Sequence, residues 1–228
     1  PIRMARAFAT FANQGREVVP IGIRYIEDRN GQILFEPEKD LRIIQDEEGD
    51  RRQILSPQAA YIMVDLLKST VATGTLANRR RQIGGFPMPF AGKTGTTQNW
   101  SDAWTVGFSP YLTTAVWFGF DEHGNSLGLN QTGAVAAGPV WAKVMKDIHI
   151  ADAKNLPPTD FVRPGGLTEV TVCEKSGMLP TADCKDGQRR EIFIAGTEPK
   201  NFCTVHKAEK ELKKERIQRF NENLFDYF

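Results

Sequence analysis

The sequence predicts an α+β fold in which an antiparallel sheet is flanked by helices. Apolar residues recur at helical spacing in three segments, residues 1–14, 56–74 and 134–150. Between the last two segments, three consecutive strands are predicted, at residues 88–97, 103–109 and 112–120. Short connections favour antiparallel pairing, because parallel strands need a long crossover. We therefore expect the second and third of these strands to form an antiparallel pair.

The N-terminal region begins with the first of these helices. Its apolar face is followed by Gly15, a residue suited to the left-handed conformation found after a helix C-cap. Residues 21–25 then alternate between apolar and other side chains, and Asn30-Gly31 is a strong signal for a hairpin turn into a second strand. Residues 36–52 are dense in charge and poor in aromatic side chains, so we expect a solvated loop there.

The second helix is marked at both of its ends. Ser56 is a favoured N-cap residue, Pro57 suits the first turn, and Gly74 follows the last apolar position. The apolar face between them consists of Ala60, Met63, Val64, Leu67 and Val71. In the third helix, we expect Pro139 in an early turn.

A change in composition divides the chain into two parts. Proline and glycine punctuate residues 157–166, and a small strand-rich segment with all three cysteines follows, ending in a charged helical tail at residues 207–223. We predict a main domain at residues 1–155 and a cysteine-containing extension at residues 156–228.

The overall charge balance does not indicate a highly charged partner, so any functional charge must be local. The chain has 29 basic and 28 acidic residues, so no overall field favours nucleic acid or an anionic membrane. No stretch approaches the ~18 apolar residues that a membrane-spanning helix needs. The N-terminus, Pro1-Ile2-Arg3, has neither a signal-peptide layout nor an initiator methionine, so we expect a piece of a longer protein.

A Lys-Thr-Gly triplet lies near the end of the first central strand. On its own, this triplet fits a polar strand end with a surface lysine. It belongs, however, to an ordered set of four segments: Thr73-Gly74-Thr75, Ala91-Gly92-Lys93-Thr94-Gly95-Thr96-Thr97, Asp102-Ala103-Trp104-Thr105-Val106-Gly107-Phe108-Ser109-Pro110 and Ala115-Val116-Trp117-Phe118-Gly119. This set resembles the C-terminal part of the transpeptidase domain of bifunctional, class A penicillin-binding proteins. The resemblance extends from about Met4 to Met145.

The resemblance implies a fold, a reaction and a location. The fold is that of the penicillin-recognising serine transpeptidases, which is β-lactamase-like, and it would be incomplete in this chain. The reaction is peptidoglycan D,D-transpeptidation: a serine attacks a D-Ala-D-Ala stem peptide, and an amine resolves the acyl-enzyme. The implied partners are stem peptides and β-lactams, with no nucleic acid and no cofactor. A membrane anchor and a glycosyltransferase domain are expected upstream, on the periplasmic face of the inner membrane.

The same resemblance assigns roles within the Lys-Thr-Gly strand. Lys93 and Thr96 are the predicted catalytic residues, the first as a cation that tunes proton transfer and the second as a backbone donor to the oxyanion. Thr94, Gly95, Thr96 and Thr97 are predicted to bind substrate. Hydroxyls would receive the terminal carboxylate, and glycine would allow a close approach to an edge strand.

Two of the family's three motifs are absent from this sequence. None of the serines begins Ser-x-x-Lys or Ser-x-Asn, and both motifs lie upstream in the family, so we expect truncation and an inactive fragment. Two alternatives remain: a β-lactamase or β-lactam sensor of the same fold, and a non-catalytic module that binds stem peptides. Asp102 and Trp104 match the family, but a structural role is the simpler interpretation.

The cysteines allow three interpretations. Together with His206, they give a C-x10-C-x18-C-x2-H spacing, formed by Cys173, Cys184, Cys203 and His206. This spacing lacks the tight Cys-x2-Cys knuckle of many zinc sites, so these residues are weak metal candidates and no metal is predicted. A disulfide between two of the three cysteines is favoured over free thiols, and free thiols over zinc.

Overall fold

The computed structural model describes residues 1–48, 52–82, 88–122, 124–185 and 187–225. They fall into two compact units, Pro1–Pro164 and Gly165–Phe228. The first contains α1 (Ile2–Ala12), β1 (Ile26–Glu27), β2 (Ile33–Phe35), α2 (Pro37–Glu48), α3 (Pro57–Ala72), α4 (Ala77–Gln82), β3 (Ala91–Thr96), β4 (Ala103–Phe108), β5 (Thr113–Phe118) and α5 (Gly138–Ala151). The second contains β6 (Leu167–Cys173), β7 (Gln188–Ile194) and α6 (Val205–Phe225).

The helix boundaries follow local signals in the sequence. Ser56 caps α3, because its hydroxyl accepts a hydrogen bond from the N–H of Ala59 at 3.1 Å. After α1, the chain turns at Gly15, whose φ is 83°. A Cβ atom at Gly15 would lie 2.2 Å from the carbonyl oxygen of Leu55, so the close approach of these two segments requires glycine.

The charged segment after the first hairpin is a helix, and the prediction of a loop there was wrong. α2 begins at Pro37, carries Glu38 and Asp40 in its first turn, and has an i,i+4 ion pair from Arg42 to Glu38 at 2.6 Å. Carboxylates near the N-terminus and such pairs stabilise a solvated helix. Charge density therefore indicated exposure correctly but did not identify the backbone conformation. The end of the predicted loop, residues 49–51, lies outside the described residues.

The central sheet has the strand order β3-β4-β5, and both of its pairings are antiparallel. One face packs on α5 through a buried cluster that includes Phe90, Trp141 and Met145. A Cβ at Gly107 would lie 2.4 Å from a ring carbon of Trp141, so glycine lets the indole lie directly on β4. The expected pair of strands is confirmed, and helices α1 and α3 contribute to a second cluster around Phe108.

The two units meet in sequence after Pro164, whereas the sequence suggested a boundary between residues 155 and 156. The intervening residues belong to the first unit because Phe161 is buried against Phe108, with ring centroids 5.5 Å apart. In the second unit, β6 and β7 form an antiparallel hairpin followed by α6. No helix in the described part of the chain has the length and apolar character needed to cross a membrane.

Candidate functional site

The Lys-Thr-Gly segment lies on β3, at the edge of the described three-stranded sheet. The N–H of Thr97 donates to the carbonyl of Asp102 at 3.2 Å, which makes residues 97 and 102 a hydrogen-bonded pair. Hydrogen-bonded pairs alternate along an antiparallel ladder. The register pairs Thr96 with Ala103 and Thr94 with Thr105, so the N–H and C=O groups of Thr94 and Thr96 point away from β4. The open edge therefore presents the backbone N–H and C=O groups of Thr94 and Thr96 to a ligand.

Lys93 places a cation at this open edge. Its side chain is exposed, and its ammonium group donates to the carbonyl oxygen of Thr94 at 2.8 Å. This contact is consistent with an outward-facing carbonyl at Thr94. An anion that approaches the edge would meet the ammonium group and the backbone donors together.

The hydroxyls of Thr94 and Thr96 are held by residues from outside the sheet. The Oγ1 of Thr94 lies 3.0 Å from the Oγ1 of Thr75, in the connection between α3 and α4. The Oγ1 of Thr96 accepts a hydrogen bond from the N–H of Gly133 at 3.0 Å. A hydroxyl has one donor and two acceptor positions, so the bond from Gly133 leaves the O–H of Thr96 as a donor to a ligand.

Glycines at two positions allow close approaches around this strand. A Cβ at Gly95 would meet only the Cβ of Trp104, at 3.4 Å, which leaves room for a ligand beside the strand. A Cβ at Gly133 would lie 2.2 Å from the carbonyl oxygen of Trp104 and 2.5 Å from that of Gly95. Sequence reasoning missed Gly133, because a glycine 37 residues from its hydrogen-bonding partner Thr96 gives no local signal.

The hydroxyl of Thr97 has a structural partner. It donates to one carboxylate oxygen of Asp102 at 3.0 Å and accepts from the N–H of Asp102 at 2.8 Å. The other carboxylate oxygen accepts from the indole N–H of Trp117 at 2.8 Å. Asp102 thus connects the turn between β3 and β4 to β5 through hydrogen bonds. An open depression of about 830 Å³ beside this turn includes Thr96 and Thr97 in its lining.

A buried serine and histidine also lie in contact, away from this strand end. The Oγ of Ser109 lies 2.9 Å from the Nε2 of His149, and its lone pairs accept the N–H groups of Tyr111 and Leu112. The Nδ1 of His149 faces the carbonyl of Met145 at 2.7 Å, where a catalytic triad has a carboxylate. Both side chains are buried, so this pair fixes a corner of the fold and has no access to substrate.

The second unit brings together all four weak metal candidates. The Sγ atoms of Cys173, Cys184 and Cys203 lie 3.5, 3.4 and 3.4 Å from the Nδ1 of His206. All three cysteines are free thiols, so the disulfide favoured from the sequence is not formed. Hydrogen bonds from Ser176 and from the backbone and ring of His206 lower the pKa of the Cys203 thiol to about 5.

Comparisons with known proteins match both units. Residues 1–146 match the family model for the penicillin binding protein transpeptidase domain, and residues 163–208 match the model for the penicillin-binding protein 1A C-terminal domain. Penicillin-binding protein 1A of Clostridium tetani is 36% identical over 212 residues, which cover 89% of this chain and 24% of the relative. Its counterpart in Aquifex aeolicus is 33% identical over 204 residues, covering 90% of this chain and 25% of the relative.

A solved structure gives the same result for the fold. The crystal structure of penicillin-binding protein 1A from Haemophilus influenzae superposes with a TM-score of 0.72 at 28% identity, covering 89% of this chain and 33% of that one. The chain spans about a quarter of the length of the curated relatives it matches. The predicted α+β fold and the resemblance drawn from the Lys-Thr-Gly strand are both confirmed. The chain belongs to the penicillin-binding protein transpeptidase family.

Proposed function

We propose that this chain supplies the Lys-Thr-Gly side of the cleft of a peptidoglycan D,D-transpeptidase. The full-length enzyme cross-links stem peptides through a serine acyl-enzyme and is a target of β-lactams. As in the class A proteins that the sequence resembles, it carries a membrane anchor and a glycosyltransferase domain and works on the extracytoplasmic face of the inner membrane. The observation that carries the proposal is the exposed edge of β3, with the backbone groups of Thr94 and Thr96 directed outward.

This edge suits an extended peptide ending in a carboxylate. A stem peptide binds as an added strand, and its backbone pairs with the outward N–H and C=O groups of Thr94 and Thr96. The space beside Gly95 accepts the peptide or a β-lactam ring, because glycine has no Cβ and the nearest described atom to an added Cβ is that of Trp104 at 3.4 Å. Strand addition therefore sets the direction of the substrate along β3.

The polar groups at the strand end then select the substrate's terminus. The O–H of Thr96 donates to the terminal D-alanine carboxylate, while the N–H of Gly133 donates to the Oγ1 of Thr96 and holds this hydroxyl in place. The hydroxyl of Thr94 and the ammonium group of Lys93 add a second donor and a positive charge. A peptide with an amidated C-terminus would lose these charge-assisted bonds.

In the acyl-transfer step, the backbone N–H of Thr96 donates a hydrogen bond to the oxyanion. A serine of the Ser-x-x-Lys motif, which this chain does not contain, attacks the carbonyl of the penultimate D-alanine. The carbonyl oxygen gains the negative charge and accepts the N–H of Thr96, the terminal D-alanine leaves, and an amine of a neighbouring stem resolves the ester. Removing one oxyanion donor costs ~10²–10³ in rate in other acyl-transfer enzymes.

The test is the rate of penicillin acylation in the full-length enzyme that contains this chain. Lys93→Ala should slow acylation by at least ~10-fold, because about 1.4 kcal/mol of transition-state stabilisation is lost with the cation. Lys143→Ala is the matched control, since Lys143 is an exposed lysine of α5 paired with Asp147. Stopped-flow acylation at the control rate in a folded Lys93→Ala enzyme would show that Lys93 has no part in the reaction.

A further inference from the structure

The cysteine-histidine cluster of the second unit is built from three segments of the chain, and residues 203–206 supply two of the four ligands. Cys173 is the last residue of β6, and His206 lies in the first turn of α6. Cys184 lies before β7 and Cys203 after it, 19 residues apart in sequence. One ligand atom from each residue, three sulfurs and one nitrogen, lies within 4.8 Å of all the others. The fold of this unit therefore brings its four soft ligands to one point.

Hydrogen bonding cannot account for this arrangement. A ring nitrogen carries either one hydrogen or one lone pair, so the Nδ1 of His206 can donate to one sulfur or accept from one thiol, whichever its tautomer. Three sulfurs nevertheless surround it at 3.4–3.5 Å. A tetrahedral zinc ion with Zn–S of about 2.3 Å and Zn–N of about 2.0–2.1 Å would place each sulfur about 3.6 Å from the nitrogen. The observed separations match those around a shared metal.

We propose that Cys173, Cys184, Cys203 and His206 bind one Zn²⁺ ion. Thiolate and imidazole ligands in a tetrahedral set select zinc over the oxygen-preferring cations. With four protein ligands the coordination sphere is closed, which is the form of a structural site and leaves no position for a catalytic water. The disulfide alternative uses only two sulfurs and gives no reason for the third sulfur and the imidazole to converge with them.

Hydrogen bonds to the sulfur of Cys184 would stabilise the negative charge of such a site. The N–H of Thr181 donates to the Sγ of Cys184 at 3.4 Å, and the Oγ1 of Thr181 lies 3.5 Å from the same sulfur. Three thiolates on a divalent ion leave one net negative charge. Bonds to the sulfurs from outside the coordination sphere disperse that charge and orient the ligands.

The second unit also needs a metal for its stability. Among its described residues, the buried apolar side chains are Val172 and the three cysteines, and the cysteines form a cluster of their own. The rest is a two-stranded hairpin and a helix whose apolar residues are largely exposed, including Leu212, Ile217 and Phe220. An isolated hairpin is at best marginally stable in water. A bound metal would take the place of the missing core, as in other small domains.

Metal content of the whole chain is the first test. The chain, purified with reductant from zinc-supplemented culture, should show one zinc per molecule by native mass spectrometry and by elemental analysis. X-ray absorption at the zinc edge should give three sulfur neighbours at about 2.3 Å and one nitrogen at about 2.0 Å. Replacement with Co²⁺ should produce the visible absorption of a tetrahedral thiolate complex, a readout that does not depend on any variant.

Variants then assign the ligands. His206→Gln and Cys184→Ser should each weaken zinc binding at least 100-fold in a chelator competition, whereas Lys207→Gln, an exposed neighbour on the same turn of α6, should keep full affinity. The proposal is overturned if the reduced wild-type chain stays metal-free when reconstituted with zinc. It is equally overturned if the bound zinc shows oxygen ligands only, or if His206→Gln and Cys184→Ser bind it as tightly as Lys207→Gln.

Discussion

The edge of β3 and the cysteine cluster are both sets of polar groups, but they differ in how far their own unit satisfies them. At the cluster, four ligand atoms from one unit already surround a single point. At β3, backbone groups, an ammonium group and two hydroxyls face an open edge. A site that is complete within its own unit can be identified from its internal distances. A site that faces outward can be identified only by what it would bind.

The largest expected effect is the loss of covalent penicillin labelling in the isolated chain, because the β3 site lacks groups that the cysteine cluster does not lack. The 228-residue chain alone should form no covalent adduct with a fluorescent penicillin, because the nucleophile and its lysine are absent and residues of a catalytic unit act together. The full-length enzyme, treated in parallel, should be labelled stoichiometrically. A labelled serine found in the isolated chain by peptide mapping would mean that the β3 site is complete as it stands.

Removing the metal should destabilise the second unit and leave the first unit unchanged. Chelation under reducing conditions should speed amide hydrogen exchange in β6 and β7 by orders of magnitude, because ligand binding and folding are coupled in small metal-bound domains. Exchange in β3, β4 and β5 should stay slow, since those strands are held by their own buried clusters. Slow exchange throughout the metal-free chain would mean that the hairpin is stable without the ion.

Neighbouring threonines should distinguish substrate contacts from structural contacts at β3. In the full-length enzyme, Thr96→Val should lower the acylation rate by roughly 10- to 100-fold, which corresponds to a charge-assisted hydrogen bond of about 1.5–3 kcal/mol. Thr97→Val should have a much smaller effect on acylation, because the hydroxyl of Thr97 is bonded to Asp102. Equal losses in the two variants would place both hydroxyls on the substrate.

The smallest expected effect concerns the packing that supports Thr96. Gly133→Ala should destabilise the first unit by about 1–3 kcal/mol, because the added Cβ overlaps the carbonyl oxygens of Trp104 and Gly95. Gly22→Ala is the matched control, since no atom lies within 4 Å of its added Cβ and its φ is not positive. Chemical denaturation of the two variants would measure the difference in their free energies of unfolding, provided that both show the same dependence of this free energy on denaturant concentration. A Gly133→Ala chain as stable as Gly22→Ala would show that residues 133–137, which precede α5, shift at no cost.

Local patterns predicted most of the main elements. The capping signals at Ser56 and Pro57 gave the start of α3, and short polar turns gave the order of β3, β4 and β5. The first hairpin was placed correctly at its turn, but β1 begins at Ile26 because the preceding residues 21–25 do not pair. The helix α2 was missed, because a solvated helix and a solvated loop share the same charged composition.

The sites depended on information that is not local. The Lys-Thr-Gly triplet was found because its residues are contiguous, whereas its supports Thr75 and Gly133 lie 19 and 37 residues away from their partners on β3. The cysteine spacing looked unfavourable for zinc because 10 residues separate the first two ligands and 18 the next two. The β6–β7 hairpin brings the segment with Cys184 close to Cys173, and the bridge between Leu179 and Phe202 brings Cys203 to them. No count along the sequence contains this information.

The open edge of β3 also bears on how the isolated chain should behave in solution. An exposed strand edge is a template for any other strand, and proteins usually protect such edges with charge, proline or a covering segment. An edge that must accept a peptide cannot be covered permanently. Lys93, the charged residue within β3, opposes pairing because two copies that meet at this edge bring two positive charges together. Concentrated solutions of the chain at high salt, where that repulsion is screened, should therefore be the first to form ordered aggregates.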